Sequence, residues 1–303
     1  MRWLGHAHEI TAHFAATQVP VPPPRTTVTL NRSTGRLPGG HRWTYLKVYG
    51  SEDRAHELLT THLPHLLDQW PDTAPHWWFT RYRDPDPHLR LRLHLAPHAF
   101  GDAAHRVSTW AAELRAEGLL TRVQWDTDQP EIGRYGTGAA LAAAERVFVT
   151  DSAAATAQII LPQAQQSALI AASFVDICTA FLGSPQAAWA WLLKTIPQAD
   201  GHPTPRDQLT QAVRLAAPDT TAVNNLPGGD RITAAWTQRR QALTAYRQAL
   251  ETAGINPADV LPSLLHMHHN RAAGIDPDHE ATCRRLARAA ALSWTHRTQG
   301  APR

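Results

Sequence analysis

The most regular hydrophobic pattern in the chain lies at residues 88–95. Leu89, Leu91, Leu93 and Leu95 alternate there with His88, Arg90, Arg92 and His94. A period of two puts the leucines on one face of a strand and the cationic side chains on the other. A second strand is expected at 76–82, joined to the first through Asp84-Pro85-Asp86-Pro87, a proline-rich turn. A leucine stripe backed by a cationic one suits a half-buried strand with solvated arginines. It equally suits the floor of a site that holds an anion.

Residues 43–49 alternate as a further strand, and Ser51-Glu52-Asp53 opens a helix by capping chemistry. That helix carries Leu58, Leu59, Leu63, Leu66 and Leu67 and ends before Trp70-Pro71. A second helix opens at Gly101-Asp102, presents Val107, Trp110, Ala111 and Leu114, and stops at Gly118. A last strand covers 120–126. The order β-α-β-β-α-β predicts a ferredoxin-like antiparallel sheet. Leu46, Val48, Leu89, Leu91 and Leu93 belong on its helix-covered face. Trp43, Tyr45, Lys47, Tyr49, Arg90 and Arg92 belong on the other, which is too aromatic for a bare solvated surface.

From Gly138 onward the periodicity is helical, at 141–148, 151–182, 187–193, 231–252 and 278–296. Another helix has Pro262 near its first turn and runs through Asn270. Residues 197–230 read as loop with one short helix at 206–216. The fold class is therefore α+β, a ferredoxin-like sheet packed against a mainly helical second half. Residues 1–40 read as an extension, with a short helix at 9–17, the linker Val19-Pro20-Val21-Pro22-Pro23-Pro24 and a closing turn at Leu37-Pro38-Gly39-Gly40. Residues 41–303 are expected to form a single domain, with a sheet part at 41–136 and a helical part at 137–303.

Composition narrows the function classes. The 303 residues are 43% hydrophobic and 18% charged, with a formal net charge of +3, which argues against a dedicated nucleic-acid polyelectrolyte. Two cysteines, Cys178 and Cys283, spell neither a disulfide framework nor a Cys-based zinc motif. No apolar run is expected to reach the roughly 18–20 residues that span a bilayer. The N-terminus lacks the layout of a signal peptide, so a cytoplasmic protein is expected. The 18 histidines accompany plentiful Ala, Arg and Pro, so an isolated histidine carries no signal.

Two local motifs bear on chemistry. Asp126-Thr127-Asp128-Gln129-Pro130-Glu131-Ile132-Gly133-Arg134-Tyr135-Gly136 follows the last strand. Its glycine-flanked turn can aim Glu131 and Arg134 across the strand ends, or leave both in solvent. Leu264-Leu265-His266-Met267-His268-His269-Asn270-Arg271 lies on a helix, with His266 and Asn270 four apart on one face. A zinc site from His266, His268 and His269 does not fit, because those positions diverge around a helix and no HExxH pattern supplies the rest. A structural histidine and a catalytic one both remain open.

In combination these stretches resemble a known family. Trp43-Thr44-Tyr45-Leu46-Lys47, Trp78-Phe79-Thr80-Arg81-Tyr82, His88-Leu89-Arg90-Leu91-Arg92, Glu131-Ile132-Gly133-Arg134-Tyr135-Gly136 and His266-Met267 with Asn270-Arg271 resemble the C-terminal elimination domain of class I lantibiotic dehydratases. That family includes free-standing thiopeptide-type bacteriocin biosynthesis proteins. The resemblance covers about 41–296. It implies removal of glutamate from glutamylated Ser or Thr of a ribosomal precursor peptide, leaving dehydroalanine or dehydrobutyrine. The partners it implies are that precursor, leader and core, and a separate tRNA-dependent glutamylation protein; a homodimer stays open. No metal or organic cofactor is implied.

The family's essential arginines and histidine fall on Arg90, Arg92, Arg134 and His266, the catalytic candidates. Arg81, Tyr82, Lys47, Tyr135, Asn270 and Arg271 are substrate-binding candidates. These residue types suit β-elimination. Guanidinium forks hold carboxylates and stabilise developing negative charge, and an imidazole moves a proton near neutral pH. Within the family the rival reading is a pyridine synthase, which performs a formal [4+2] cycloaddition of two dehydroalanines and releases the leader peptide. Retention of Arg90, Arg92, Arg134 and His266 favours elimination. Outside it, the aromatic sheet face suggests single-stranded RNA binding, or a non-catalytic module that adds a leader peptide as an edge strand.

Overall fold

Alternation along Trp43–Gly50 (β1), His76–Tyr82 (β2), His88–His94 (β3) and Leu120–Asp126 (β4) produces one four-stranded sheet of order β2-β3-β1-β4. Every neighbouring pair is antiparallel. In this computed structural model the described residues are 34–71, 73–159, 163–198 and 205–299. The helix and proline linker expected ahead of residue 34 lie outside them. A helical segment at 52–68 (α1) joins β1 to β2, and α2 (Phe100–Ala116) joins β3 to β4. Leu46, Leu59, Leu66, Phe79 and Leu93 are almost fully buried in the core between these helices and the sheet. Each such side chain contributes roughly 1.5–3 kcal/mol by leaving water.

Cross-strand register fixes the opposite face. Tyr45 stands opposite Arg92 and Lys47 opposite Arg90, while Trp78 and Thr80 of β2 flank the same two arginines. Trp43 and Tyr45 are buried too, so β1 is covered on both sides. The cover comes from the helical half, as the aromatic content of the face requires. The helical half comprises α3 (Ile132–Tyr135), α4 (Gly138–Ile159), α5 (Gln163–Leu182), α6 (Pro185–Thr195), α7 (Arg206–Leu215), α8 (Thr221–Asn224), α9 (Gly229–Thr252), α10 (Pro257–Ala273) and α11 (Pro277–Gln299), of which α4 and α10 pack on β2. From α4, Phe148 packs on the Trp78 ring at 5.0 Å, and Glu145 Oε2 accepts from Trp43 Nε1 at 2.9 Å.

The helix boundaries differ from the expected ones, and α3 and α8 are short helices where none is expected. α4 runs unbroken through Phe148–Asp151, where a break is expected, and continues to Ile159. Thr150, Asp151 and Ser152 favour helix ends in isolation. Here Asp151 and Ser152 are buried with tertiary partners, which overrides that preference. α10 begins at Pro257, capped by Asn256 Oδ1 accepting from Ala258 N–H at 3.2 Å, so Pro262 lies inside the helix.

Within α5, Gln165–Leu182 is apolar enough to cross a membrane by length and composition, with a mean hydropathy of 1.3. No apolar stretch of that length is expected from the sequence, because polar residues punctuate this one. As 67% of that window is buried, the apolar side chains face other helices of the protein.

Candidate functional site

A cavity of about 410 Å³ opens between the polar face of the sheet and the helical half. Arg90 and Arg92 from β3 form its floor. Arg92 is buried, lying between the Tyr45 and Trp78 rings at 4.3 and 4.1 Å, with its Nε donating to Asp128 Oδ1 at 3.0 Å. Desolvation lowers its pKa, and the Asp128 carboxylate opposes that. Arg90 stacks on the Tyr82 ring at 3.3 Å, and its buried Nε–H has no acceptor. Among the described residues no carboxylate is ion-paired with Arg90. A half-buried guanidinium with an unanswered donor is a ready anion holder.

Asp128 is itself fastened from the opposite side. Arg36 and Asp128 exchange backbone hydrogen bonds of 2.8 and 3.0 Å, and the Arg36 guanidinium reaches both Asp128 and Glu145. The chain just ahead of β1 thus braces the floor.

The walls bring the remaining catalytic candidates together. Arg134, on α3, is half exposed at the cavity and pairs with Glu131 at 2.9 Å. Gly136 ends that helical turn at a φ of 87°, where an added Cβ would lie 2.8 Å from the Ala140 Cβ. Only glycine fits both the dihedral and the space. Tyr135 is buried, which pushes its phenol pKa up, and its carbonyl accepts from Tyr246 Oη at 2.9 Å.

His266 projects from α10 with 54% of its side chain exposed, and its Nδ1 lies 2.8 Å from Glu280 Oε2 on α11. Burial works to raise the Glu280 pKa, but the His266 and Arg284 hydrogen bonds outweigh it and bring the value to about 2. An ionised carboxylate only accepts, so Nδ1 carries the hydrogen, and in neutral imidazole Nε2 keeps its lone pair.

The outer edge of β2 faces α10 and α4 instead of another strand. The Asn270 side chain accepts from Arg81 N–H at 2.8 Å and donates to Arg81 C=O at 3.0 Å. Arg271 Nε donates to Phe79 C=O at 2.9 Å, and Ser152 Oγ accepts from Phe79 N–H at 3.2 Å. These side chains replace a fifth strand along this edge and hold α10 beside the cavity. Arg81 is buried, which lowers its pKa to about 10, and its guanidinium donates to Arg271 C=O.

Behind this edge Asp151 binds two guanidinium groups and a buried imidazole. Its carboxylate meets Arg239 at 3.0 Å, His268 at 2.7 Å and Arg271 at 2.8 Å. Desolvation acts to raise its pKa, yet the three partners together carry it well below the carboxylate range.

The structure therefore gathers Arg90, Arg92, Arg134, His266, Arg81, Tyr82, Tyr135, Asn270 and Arg271 around one cavity. Lys47 is not among the lining residues and pairs with Asp126 at 2.6 Å. Asn270 and Arg271 border the cavity with polar groups committed to β2 and Asp151. Asp128, Glu145 and Glu280 line it as well and are absent from the sequence-based candidates. Asp128 lies in the Gly136-flanked motif and was within reach of inspection; Glu280 has no local signal, since its partner is on another helix.

The family model for the lantibiotic biosynthesis dehydratase C-terminus matches residues 43–291. Subtilin biosynthesis protein SpaB of Bacillus subtilis is 32% identical over 111 residues, 36% of this chain and 11% of that protein. Nisin biosynthesis protein NisB of Lactococcus lactis subsp. lactis is 29% identical over 114 residues, 37% of this chain and 11% of its own length. Each aligned stretch is thus a small part of a much longer relative.

Among solved structures, the tRNA-dependent lantibiotic dehydratase MibB from Microbispora sp. 107891 superposes with a TM-score of 0.73 at 23% identity, over 90% of this chain and 29% of that one. The pyridine synthase TbtD, from thiomuracin biosynthesis, superposes with a TM-score of 0.56 at 14% identity, over 84% of this chain and 98% of that one. Both likenesses concern the fold. With the family model spanning both the sheet and the helices that enclose the cavity, the chain belongs to the lantibiotic biosynthesis dehydratase C-terminal family.

Proposed function

We propose that this chain carries out the glutamate-elimination step of class I dehydration, acting on glutamylated Ser and Thr of a ribosomal precursor peptide. The observation that carries the reading is the meeting of Arg90, Arg92, Arg134 and His266 around a single cavity. On this reading residues 41–303 work as one elimination-type domain, the sheet part supplying Arg90, Arg92 and Arg134 and the helical part His266. The order β4-β1-β3-β2 with a helix in each crossover supports a ferredoxin-like description of the sheet.

In the proposed reaction His266 Nε2 takes the Cα proton, the electron pair forms the Cα–Cβ double bond, and the Cβ–O bond breaks to release glutamate as a carboxylate. Arg90, with no acid partner among the described residues, binds a glutamyl carboxylate. Arg92 and Arg134 stabilise the negative charge that develops on the peptide carbonyl and on the leaving group. Glu280 holds the imidazole in the basic tautomer. Asn270 and Arg271 position α10, and Arg81 and Tyr82 border the peptide.

The test supplies glutamylated precursor peptide and follows it by mass spectrometry. Loss of glutamate with formation of dehydro residues supports the proposal. Release of an intact leader from an already dehydrated substrate, with the ester untouched, would instead assign the pyridine synthase reaction.

A further inference from the structure

Where α10 and α11 cross, a second group of donors stands apart from the elimination machinery. His269 Nε2 lies 2.9 Å from His279 Nδ1, and Cys283 Sγ lies 3.9 and 3.8 Å from the two ring nitrogens of His279. The ligand atoms of the three residues all fall within 4.8 Å of one another. His269 and Cys283 are 1% and 0% exposed. His279 and Cys283 are four apart on α11 and share a face, while His269 comes from α10.

Two imidazoles and a thiol are a donor set that zinc takes readily. Tetrahedral zinc, with bonds of roughly 2.0–2.3 Å, needs donors about 3.3–3.6 Å apart. The separations in the cluster lie on both sides of that spacing. Sequence spacing conceals the arrangement because the donors come from two helices and include one cysteine.

We propose that His269, His279 and Cys283 form a structural site for a zinc-class divalent ion, with water as the fourth ligand. On binding, the Cys283 S–H gives its proton to solvent as the metal–sulfur bond forms. The His269–His279 hydrogen bond is exchanged for two metal–nitrogen bonds from neutral rings. His266 lies one turn before His269–Asn270, and Glu280 directly follows His279. An ion there ties the two helices together behind the His266–Glu280 pair and holds its register.

The experiment uses the whole chain, purified without a metal-affinity step, stripped with chelator and titrated with Zn²⁺ and separately with Co²⁺. The expected result is one ion per chain retained through dialysis, a higher melting temperature than the stripped protein, and the sulfur-to-cobalt charge-transfer band of a tetrahedral thiolate site. Cys283→Ser should lose that band, and His269→Gln should lose the retained ion. Failure of the folded wild-type chain to retain either ion overturns the proposal, whatever the variants do. So does a charge-transfer band that survives in Cys283→Ser.

Discussion

His266 Nδ1 and Glu280 Oε2 lie 2.8 Å apart, on helices separated by the turn at Gly274 and Asp276. The pairing decides which imidazole nitrogen is available. Glu280 is ionised at neutral pH, so it accepts a hydrogen bond from Nδ1–H and leaves Nε2 as the nitrogen not engaged by the carboxylate. The Arg284 guanidinium holds the carboxylate from its other side at 2.9 Å. An acid–base role for His266 therefore rests on a residue from outside its own motif.

Glu280→Gln should slow elimination from a glutamylated peptide by about 100-fold, chiefly in kcat, because a neutral amide no longer enforces the basic tautomer. KM should change little, since Glu280 sits behind the imidazole. Steady-state kinetics with ester loss followed by mass spectrometry measures both. A rate equal to wild type would remove Glu280 from the proposed mechanism.

Arg90 and Arg92 should separate stability from activity. Arg90 has no acid partner among the described residues, so Arg90→Ala should leave urea stability within about 1 kcal/mol while cutting elimination by at least ~100-fold. Arg92→Ala strips a partner from the buried Asp128 and empties the space between Tyr45 and Trp78. It should cost about 2–4 kcal/mol of stability as well as activity. Arg90→Lys keeps the charge but loses the fork, and should recover little of the rate.

Asn270→Ala should destabilise the protein by about 2–3 kcal/mol, because the N–H and C=O of Arg81 lose both partners at a covered sheet edge. Amide hydrogen exchange should quicken at Arg81, with the β1–β3 pairing protected as before. Unchanged protection at Arg81 would mean that another group takes over the edge.

Asp151 links folding to pH. Its pKa is lower in the folded protein than the ordinary 3.8, so below about pH 4 the unfolded chain binds a proton that the folded one resists. Stability should therefore be intact at neutral pH and fall as the pH drops below that value. Asp151→Asn should lower stability at pH 7 and flatten the acid limb of the curve, as measured by denaturant titration at several pH values.

Alternation alone located the sheet and its two faces. The period of two at residues 88–95 and 43–49 dictates which side chains share a side, whereas the cross-strand register of Tyr45 with Arg92 and Lys47 with Arg90 is set by the strand pairing. The helical half was legible through its period, but its breaks were not. Asp151 reads locally as a helix start, and only Arg239, His268 and Arg271, up to 120 residues away in sequence, make it a helix interior.

The sequence by itself therefore determined the strands, the cationic stripe of Arg90 and Arg92 and the presence of histidines on a late helix, because these depend on local periodicity. The tertiary structure decided which cations are neutralised and which are free. Arg92 is held by Asp128 and Arg271 by Asp151, whereas among the described residues no carboxylate pairs with Arg90 at the cavity. That distinction depends on partners brought within hydrogen-bond reach by packing, a distance that no sequence spacing encodes.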